Sequence, residues 1–274
     1  MTSVPSPRRL FNTRKALGQH YLRDRRYLGP VLRAAQLLSN DTVIEVGPGR
    51  GVLTSELINR VRRVVAVELD PALVQGLRNR FESASNLEVV EGDARLVHPQ
   101  TLLGGLEPYK VVANLPYYAA SRIVRSFLES AHSPQLLVIM VQKEVAKQMV
   151  APPGKMTLLS VGIQVFGEPR IVTSIPPKAF SPPPKVMSSI VSIKVYEQPA
   201  IQVDDITRFF SFVRGGFSAP RKQLRNSLSH GLGSTPVQWE NLLHRANIQP
   251  TRRAETLSIA EWGILYGEWQ LQQC

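Results

Sequence analysis

Along the chain, short and almost unbroken apolar runs alternate with longer segments whose apolar residues recur every three or four positions. DTVIEV (41–46), VRRVVAVELD (61–70), NLEVVEGDA (86–94), YKVVANLPYY (109–118) and QLLVIMVQ (135–142) read as strands. Between them, VLTSELINR (52–60), PALVQGLRNRF (71–81) and a stretch near 121–130 read as helices, and Pro71 suits a first helical turn. An earlier helical pattern runs from Leu28 to Leu38. Strands and helices alternating on this scale predict an α/β fold, with a parallel sheet covered on both faces. The near-continuous Val, Ile and Leu content of the strands fits burial on both sides. Prolines gather in IPPKAFSPPPKV (175–186), which predicts an ordered loop, and MSSIVSIKVY (187–196) predicts one more strand.

From about Asp204 the character changes. DITRFFSFVRGGFSAPRKQLRNSLSHGL, PVQWENLLHRANI and SIAEWGILYGEW all carry helical spacing. This divides the chain into a basic arm at 1–15, an α/β domain at 16–199 and a small all-helical domain at 200–274. The arm holds Pro5, Pro7, Arg8, Arg9, Arg14 and Lys15 with little apolar content, which predicts flexibility. Trp239, Trp262 and Trp269 are expected to fill the helical core, and the scattered His98, His132, His230 and His244 to be structural.

Charge adds a partner to this picture. The chain has 33 Lys and Arg against 21 Asp and Glu, a net charge of +12. Such an excess points to a polyanion, nucleic acid above all. The single cysteine, Cys274, forms no internal disulfide and no zinc cluster, which suits a reducing cytoplasm. No stretch reaches the roughly 18 apolar residues of a membrane span, so no membrane partner is expected.

Candidate chemistry sits at the strand ends. Glu45-Val46-Gly47-Pro48-Gly49-Arg50-Gly51 places a glycine turn between a strand and a helix, where a ligand can approach the backbone. The spacing is not that of a dinucleotide fold. Glu45 would repel a pyrophosphate but attract a ligand ammonium, directly or through water, which favours an amino-acid-bearing cofactor. Glu68 ends the second strand, where a carboxylate accepts bonds from ribose hydroxyls, while Asp70 suits helix capping. Asp93, followed by Ala94, ends the third strand and can accept from an adenine amine. The fourth strand ends in Asn114-Leu115-Pro116-Tyr117. Adenine N6 is a poor nucleophile because its lone pair is delocalised. Its methylation needs acceptors for the amine hydrogens, which the Asn114 amide oxygen and the Leu115 carbonyl provide. Pro116 fixes the backbone, and Tyr117 can stack on an extruded base.

Together these motifs resemble the KsgA/Dim family of small-subunit rRNA adenine-N6 dimethyltransferases. The likeness extends to KALGQHYL (15–22), NLPYYAAS (114–121), QKEV (142–145), LSV (159–161), FSPPPKV (180–186), RKQLRN (221–226) and RRAETLSIAEW (252–262). The resemblance implies a Rossmann-like methyltransferase domain, its largely parallel sheet containing one antiparallel strand, and a helical C-terminal domain. It implies S-adenosyl-L-methionine as cofactor, bound by His20, Leu22, Gly47, Glu68, Asp93 and Asn114, with Gly49 in the glycine turn. It also implies that Phe180 clamps the target base opposite Tyr117. The implied substrate is two adjacent adenosines near the 3′ end of small-subunit rRNA in an immature subunit, bound by a monomer. Arg214, Arg221, Lys222 and Arg225 are candidates for phosphate contacts, or else a solvated helix face.

Two positions depart from the family pattern: Met187 stands where Asp is common, and Pro220 where Arg is common. Erythromycin-resistance methyltransferases of large-subunit rRNA share the fold and chemistry, but usually carry Ile where this chain has Leu115. That position, RKQLRNSL and the long C-terminal region favour the small-subunit reading. A non-catalytic RNA-binding assembly factor is the remaining alternative, and the intact set of cofactor residues argues against it.

Overall fold

The structure is a computed structural model and describes residues 20–272. The basic arm, the first part of the KALGQHYL motif and Cys274 lie outside the described residues. Nine strands and eleven α-helices are described. In chain order, β1 (Tyr21–Leu22), α1 (Leu28–Ala35), β2 (Thr42–Val46), α2 (Thr54–Leu57), β3 (Arg63–Glu68), α3 (Pro71–Arg80), β4 (Leu87–Glu91), α4 (Pro99–Leu103), β5 (Lys110–Asn114), α5 (Ala120–Leu128) and β6 (Leu136–Gln142) make the alternating part. Then follow α6 (Lys143–Met149), α7 (Leu158–Gln164), β7 (Gly167–Ile175), β8 (Phe180–Ser181) and β9 (Ser188–Val195). Helices α8 (Ile206–Gly216), α9 (Leu224–Leu232), α10 (Pro236–Arg245) and α11 (Ile259–Leu271) complete the fold.

One seven-stranded sheet has the order β4-β3-β2-β5-β6-β9-β7. Strands β2 to β6 pair in parallel, and β9 runs antiparallel to both of its neighbours. It alone opposes the rest, as the resemblance implied. The interiors of β2, β3, β5 and β6 are buried on both faces, which explains their unbroken apolar runs. One hydrophobic cluster fills one face and includes Val65, Val111, Phe127 and Val161. The other includes Leu28, Val43, Val64, Val138 and Ile190. Asp70 caps α3 through a 2.9 Å bond from the Ala72 N–H, the structural role its position predicts.

The strand order reverses between β2 and β5, the point where ligands bind in open α/β sheets. The glycine turn follows β2, and Asn114 ends β5.

Several elements differ from the sequence reading. Strand β7 hides in GEPRIVTSI because it lies at the sheet edge with mostly uncovered side chains, so no apolar run marks it. Part of the proline-rich loop is strand: β8 pairs with β1, Tyr21 opposite Ser181 and Leu22 opposite Phe180. Two-residue strands carry no periodicity to detect. The long helical stretch after Asp204 is broken into α8 and α9 by a turn at 218–223 that contains Pro220. The two helices touch where the end of α9 crosses α8: a Cβ on Gly231 would lie 2.4 Å from the Gly215 carbonyl oxygen. Trp239 and Trp262 are buried, and Trp269 packs against the same core. That core joins the four C-terminal helices to the sheet without interruption.

Candidate active site

The carboxyl ends of β2, β3, β4 and β5 surround one pocket. His20, Gly47, Gly49, Glu68, Asp93, Ala94, Asn114, Leu115, Pro116 and Tyr117 all line it. Ten of the residues singled out in the sequence thus converge, nine from the ends of these four strands and His20 from the chain before β1. Convergence follows from parallel pairing, which brings every carboxyl end to one edge.

The glycine turn is shaped by close approach. Gly47 and Gly49 have φ of 68° and 57°, values that side chains disfavour. A Cβ on Gly49 would lie 2.6 Å from the Tyr21 ring. Tyr21 therefore forms a wall directly over the turn. The sequence offers no signal for it beyond its place after His20.

Glu68 is held firmly. Its Oε1 accepts the N–H groups of Leu69 and Asp70 at 2.9 and 3.1 Å, and its Oε2 accepts that of Gly49 at 3.1 Å. Burial raises its pKa, and these backbone bonds oppose the rise. One lone pair on Oε2 remains for a ligand donor. Asp93 is exposed enough to reach a ligand, but Arg95 grips both of its oxygens, with Nε at 2.9 Å from each. That ion pair lowers the Asp93 pKa. A donor approaching Asp93 would have to compete with Arg95.

Asn114 is oriented by the chain before β1. Its Nδ2 donates to the His20 carbonyl at 2.8 Å, which leaves Oδ1 as the acceptor. His20 is itself tied down, with Nδ1 2.8 Å from the Pro182 carbonyl oxygen. Its ring stands 5.4 Å from that of Tyr117. The Tyr117 hydroxyl lies 2.5 Å from the Ser188 hydroxyl, and Ser188 is fully buried on β9. Ser188 escapes sequence reasoning because its partner lies 71 residues away. Tyr118 lines the rim and is 54% exposed, with the Arg95 guanidinium over its ring.

Three residues named from sequence sit elsewhere. Leu22 and Glu45 line a narrow recess behind the glycine turn, not the main pocket. Glu45 is only 1% exposed, and its Oε2 has no hydrogen-bond partner among the described residues. Burial, reinforced by the nearby Glu68 charge, pushes its pKa up to about 8. Phe180, expected to face Tyr117 across the target base, is 3% exposed and belongs to the core cluster of Leu22 and Ile190. Its pairing opposite Leu22 in β8 directs it to that core. Arg221 and Lys222 lie exposed in the turn between α8 and α9, whereas Arg225 pairs with Glu240 at 2.6 Å.

A model of the family described as ribosomal RNA adenine dimethylase matches residues 10–264. The chain belongs to this family. Within it, a relative from Dehalococcoides mccartyi, named ribosomal RNA small subunit methyltransferase A, is 48% identical over 92% of this chain and 87% of its own length. One of the same name from Pelotomaculum thermopropionicum is 39% identical, covering 92% and 90%. Among solved structures, a dimethyladenosine transferase from Plasmodium falciparum superposes with a TM-score of 0.81 at 23% identity, covering 93% of this chain and 98% of that one. The 23S rRNA methyltransferase ErmE gives 0.71 at 27% identity, covering 91% and 99%. The two departures, Met187 and Pro220, both lie outside the pocket lining.

Proposed function

We propose that this family member dimethylates N6 of two adjacent adenosines near the 3′ end of small-subunit rRNA, with S-adenosylmethionine as methyl donor. The carrying observation is the placement of Asn114 Oδ1, freed by the His20 bond, at the switch point of the sheet and beside Tyr117. Identity of 48% to a small-subunit methyltransferase, against 27% to the 23S enzyme, supports the small subunit over the large.

The residues fit the donor. Gly47 and Gly49 open the backbone to it, and Glu68 keeps one lone pair of Oε2 for a ribose hydroxyl. Asp93 suits the adenine amine once Arg95 yields. The unpartnered, buried Glu45 Oε2 suits an ammonium reached through the recess. When bound, S-adenosylmethionine would supply an electrophilic methyl group for adenine N6, its sulfur leaving as the thioether S-adenosyl-L-homocysteine and the N6 proton passing to solvent.

This chain's residues prepare the nucleophile. Tyr117 stacks on an extruded adenine, while Asn114 Oδ1 and the Leu115 carbonyl accept the N6 hydrogens as the amine loses planarity. The lone pair is then aimed without a strong base, so positioning and preorganised acceptors supply the rate. A second methylation requires that one acceptor be dispensable. The substrate is read as an immature small subunit bound by one monomer in the cytoplasm, with residues 200–274 as its RNA-binding domain.

The test uses labelled S-adenosylmethionine with undermethylated small and large subunits in separate reactions. Dimethyladenosine near the small-subunit 3′ end is expected. Label confined to the large subunit overturns the reading in favour of the resistance-type enzyme.

A further inference from the structure

A second groove lies across β1 and β8 from the pocket. Tyr21 forms part of both walls, and Ser181, the strand partner of Tyr21, lines the groove. Four arginines, Arg23, Arg25, Arg50 and Arg80, border it, with Leu22, Val52 and Ser55 between them. These arginines come from three separate segments of chain, Arg23 and Arg25 after β1, Arg50 in the glycine turn and Arg80 at the end of α3, so the cluster is a product of folding. Among the described residues only Arg25 of the four is neutralised, by Glu56 at 3.2 Å, and Glu56 is shared with Arg60. Among the described residues Arg23, Arg50 and Arg80 have no carboxylate within ion-pair distance, and all three are exposed.

Two of these cations are held without being neutralised. Arg50 stacks over the Tyr21 ring at 5.4 Å, and Arg80 donates to the Arg50 carbonyl while lying over Phe81 at 5.0 Å. A guanidinium fixed in this way loses little freedom on binding, and its fork matches phosphate oxygens. The chain ahead of the groove cannot complement it, because Arg8, Arg9, Arg14 and Lys15 carry the same sign.

We propose that this groove binds phosphodiesters of the substrate RNA strand next to the extruded adenosine, with Arg23, Arg50 and Arg80 as the contacts. The inference rests on the rRNA reading above and adds a site to it. Through the shared Tyr21 wall, a strand held in the groove is delivered to the mouth of the methylation pocket. The groove thus sets the reach of the extruded base, independently of the residues that bind cofactor.

The test compares wild type with R23Q/R80Q and R23K/R80K, leaving Arg50 and its contact with Tyr21 intact. Affinity for a short hairpin RNA with adjacent loop adenosines is titrated against salt. R23Q/R80Q is expected to weaken binding about tenfold and to flatten the logarithmic salt slope by ~1.4, about 0.7 for each lost single-strand contact. The lysine variant restores the slope, since the charge returns. Cofactor affinity by calorimetry reports that each variant is folded. An unchanged RNA affinity and slope in R23Q/R80Q overturns the proposal. So does weakened binding confined to intact subunits, which assigns the groove to an acidic protein. Failure of the wild type to methylate any RNA overturns the function itself, a distinct result.

Discussion

At the scale of single residues, the site depends on a few side chains whose freedom has been removed. Asn114 is the clearest, because its Nδ2 bond to the His20 carbonyl decides which end of the amide is left as an acceptor. Asn114→Ala is expected to lower single-turnover methylation by a factor of about 100 or more, the scale of losing one preorganised hydrogen-bonding group. Near-normal turnover would remove Asn114 from the chemistry. The Tyr117–Ser188 bond has a similar logic at second hand. Tyr117→Phe and Ser188→Ala should each slow turnover, and the double variant should be no slower than the worse single one. Additive losses in that cycle would show that the hydroxyls act separately. Glu45 yields a pH dependence. Its pKa of about 8 in the fold lies above the ordinary carboxylate value. Between those values the unfolded chain has released a proton that the folded chain keeps, so stability falls as pH rises through the window. Glu45→Gln should flatten that fall in urea melts run from about pH 5 to about pH 8. An identical slope in the variant would place the titration elsewhere.

At the scale of elements, the short β1–β8 pair is the frame on which the pocket hangs. It sets Tyr21 over the glycine turn and seats Leu22 and Phe180 together in the core. Leu22→Ala should cost about 2–3 kcal/mol of stability, as for other buried leucines. Cofactor affinity should fall with it, because Tyr21 and His20 lose their anchor. Denaturant melts and calorimetry check the two effects, and a stability loss with unchanged cofactor affinity would uncouple the pair from the pocket. Gly49 meets the same frame from the other side. A side chain there adds a left-handed backbone penalty of about 1–2 kcal/mol to the clash with Tyr21, so Gly49→Ala should lower both quantities as well.

At the scale of the whole molecule, the positive charge is not equally available. Arg225 is spent on Glu240, whereas Arg221 and Lys222 stand exposed in the α8–α9 turn. Arg221→Ala/Lys222→Ala should therefore lower the salt slope of RNA binding by ~0.7 per contact, while Arg225→Ala should leave it unaltered. Equal effects of both would show that Arg225 leaves Glu240 when RNA arrives. The continuous core between sheet and C-terminal helices gives this surface a fixed relation to the pocket.

The sequence alone determined the alternation of strands and helices, because strands buried on both faces must be apolar throughout. It also determined the chemical groups at the strand ends, since Gly47, Glu68, Asp93 and Asn114 each sit where an apolar run stops. Tertiary structure decided the rest. It buried Phe180 away from the pocket and set Glu45 and Leu22 behind it. It also brought Tyr21 onto Gly49 and Ser188 onto Tyr117, and gathered four separate arginines into one groove. These outcomes depend on pairings between distant segments, such as β1 with β8 and β6 with β9, and local periodicity carries no information about which distant strands meet.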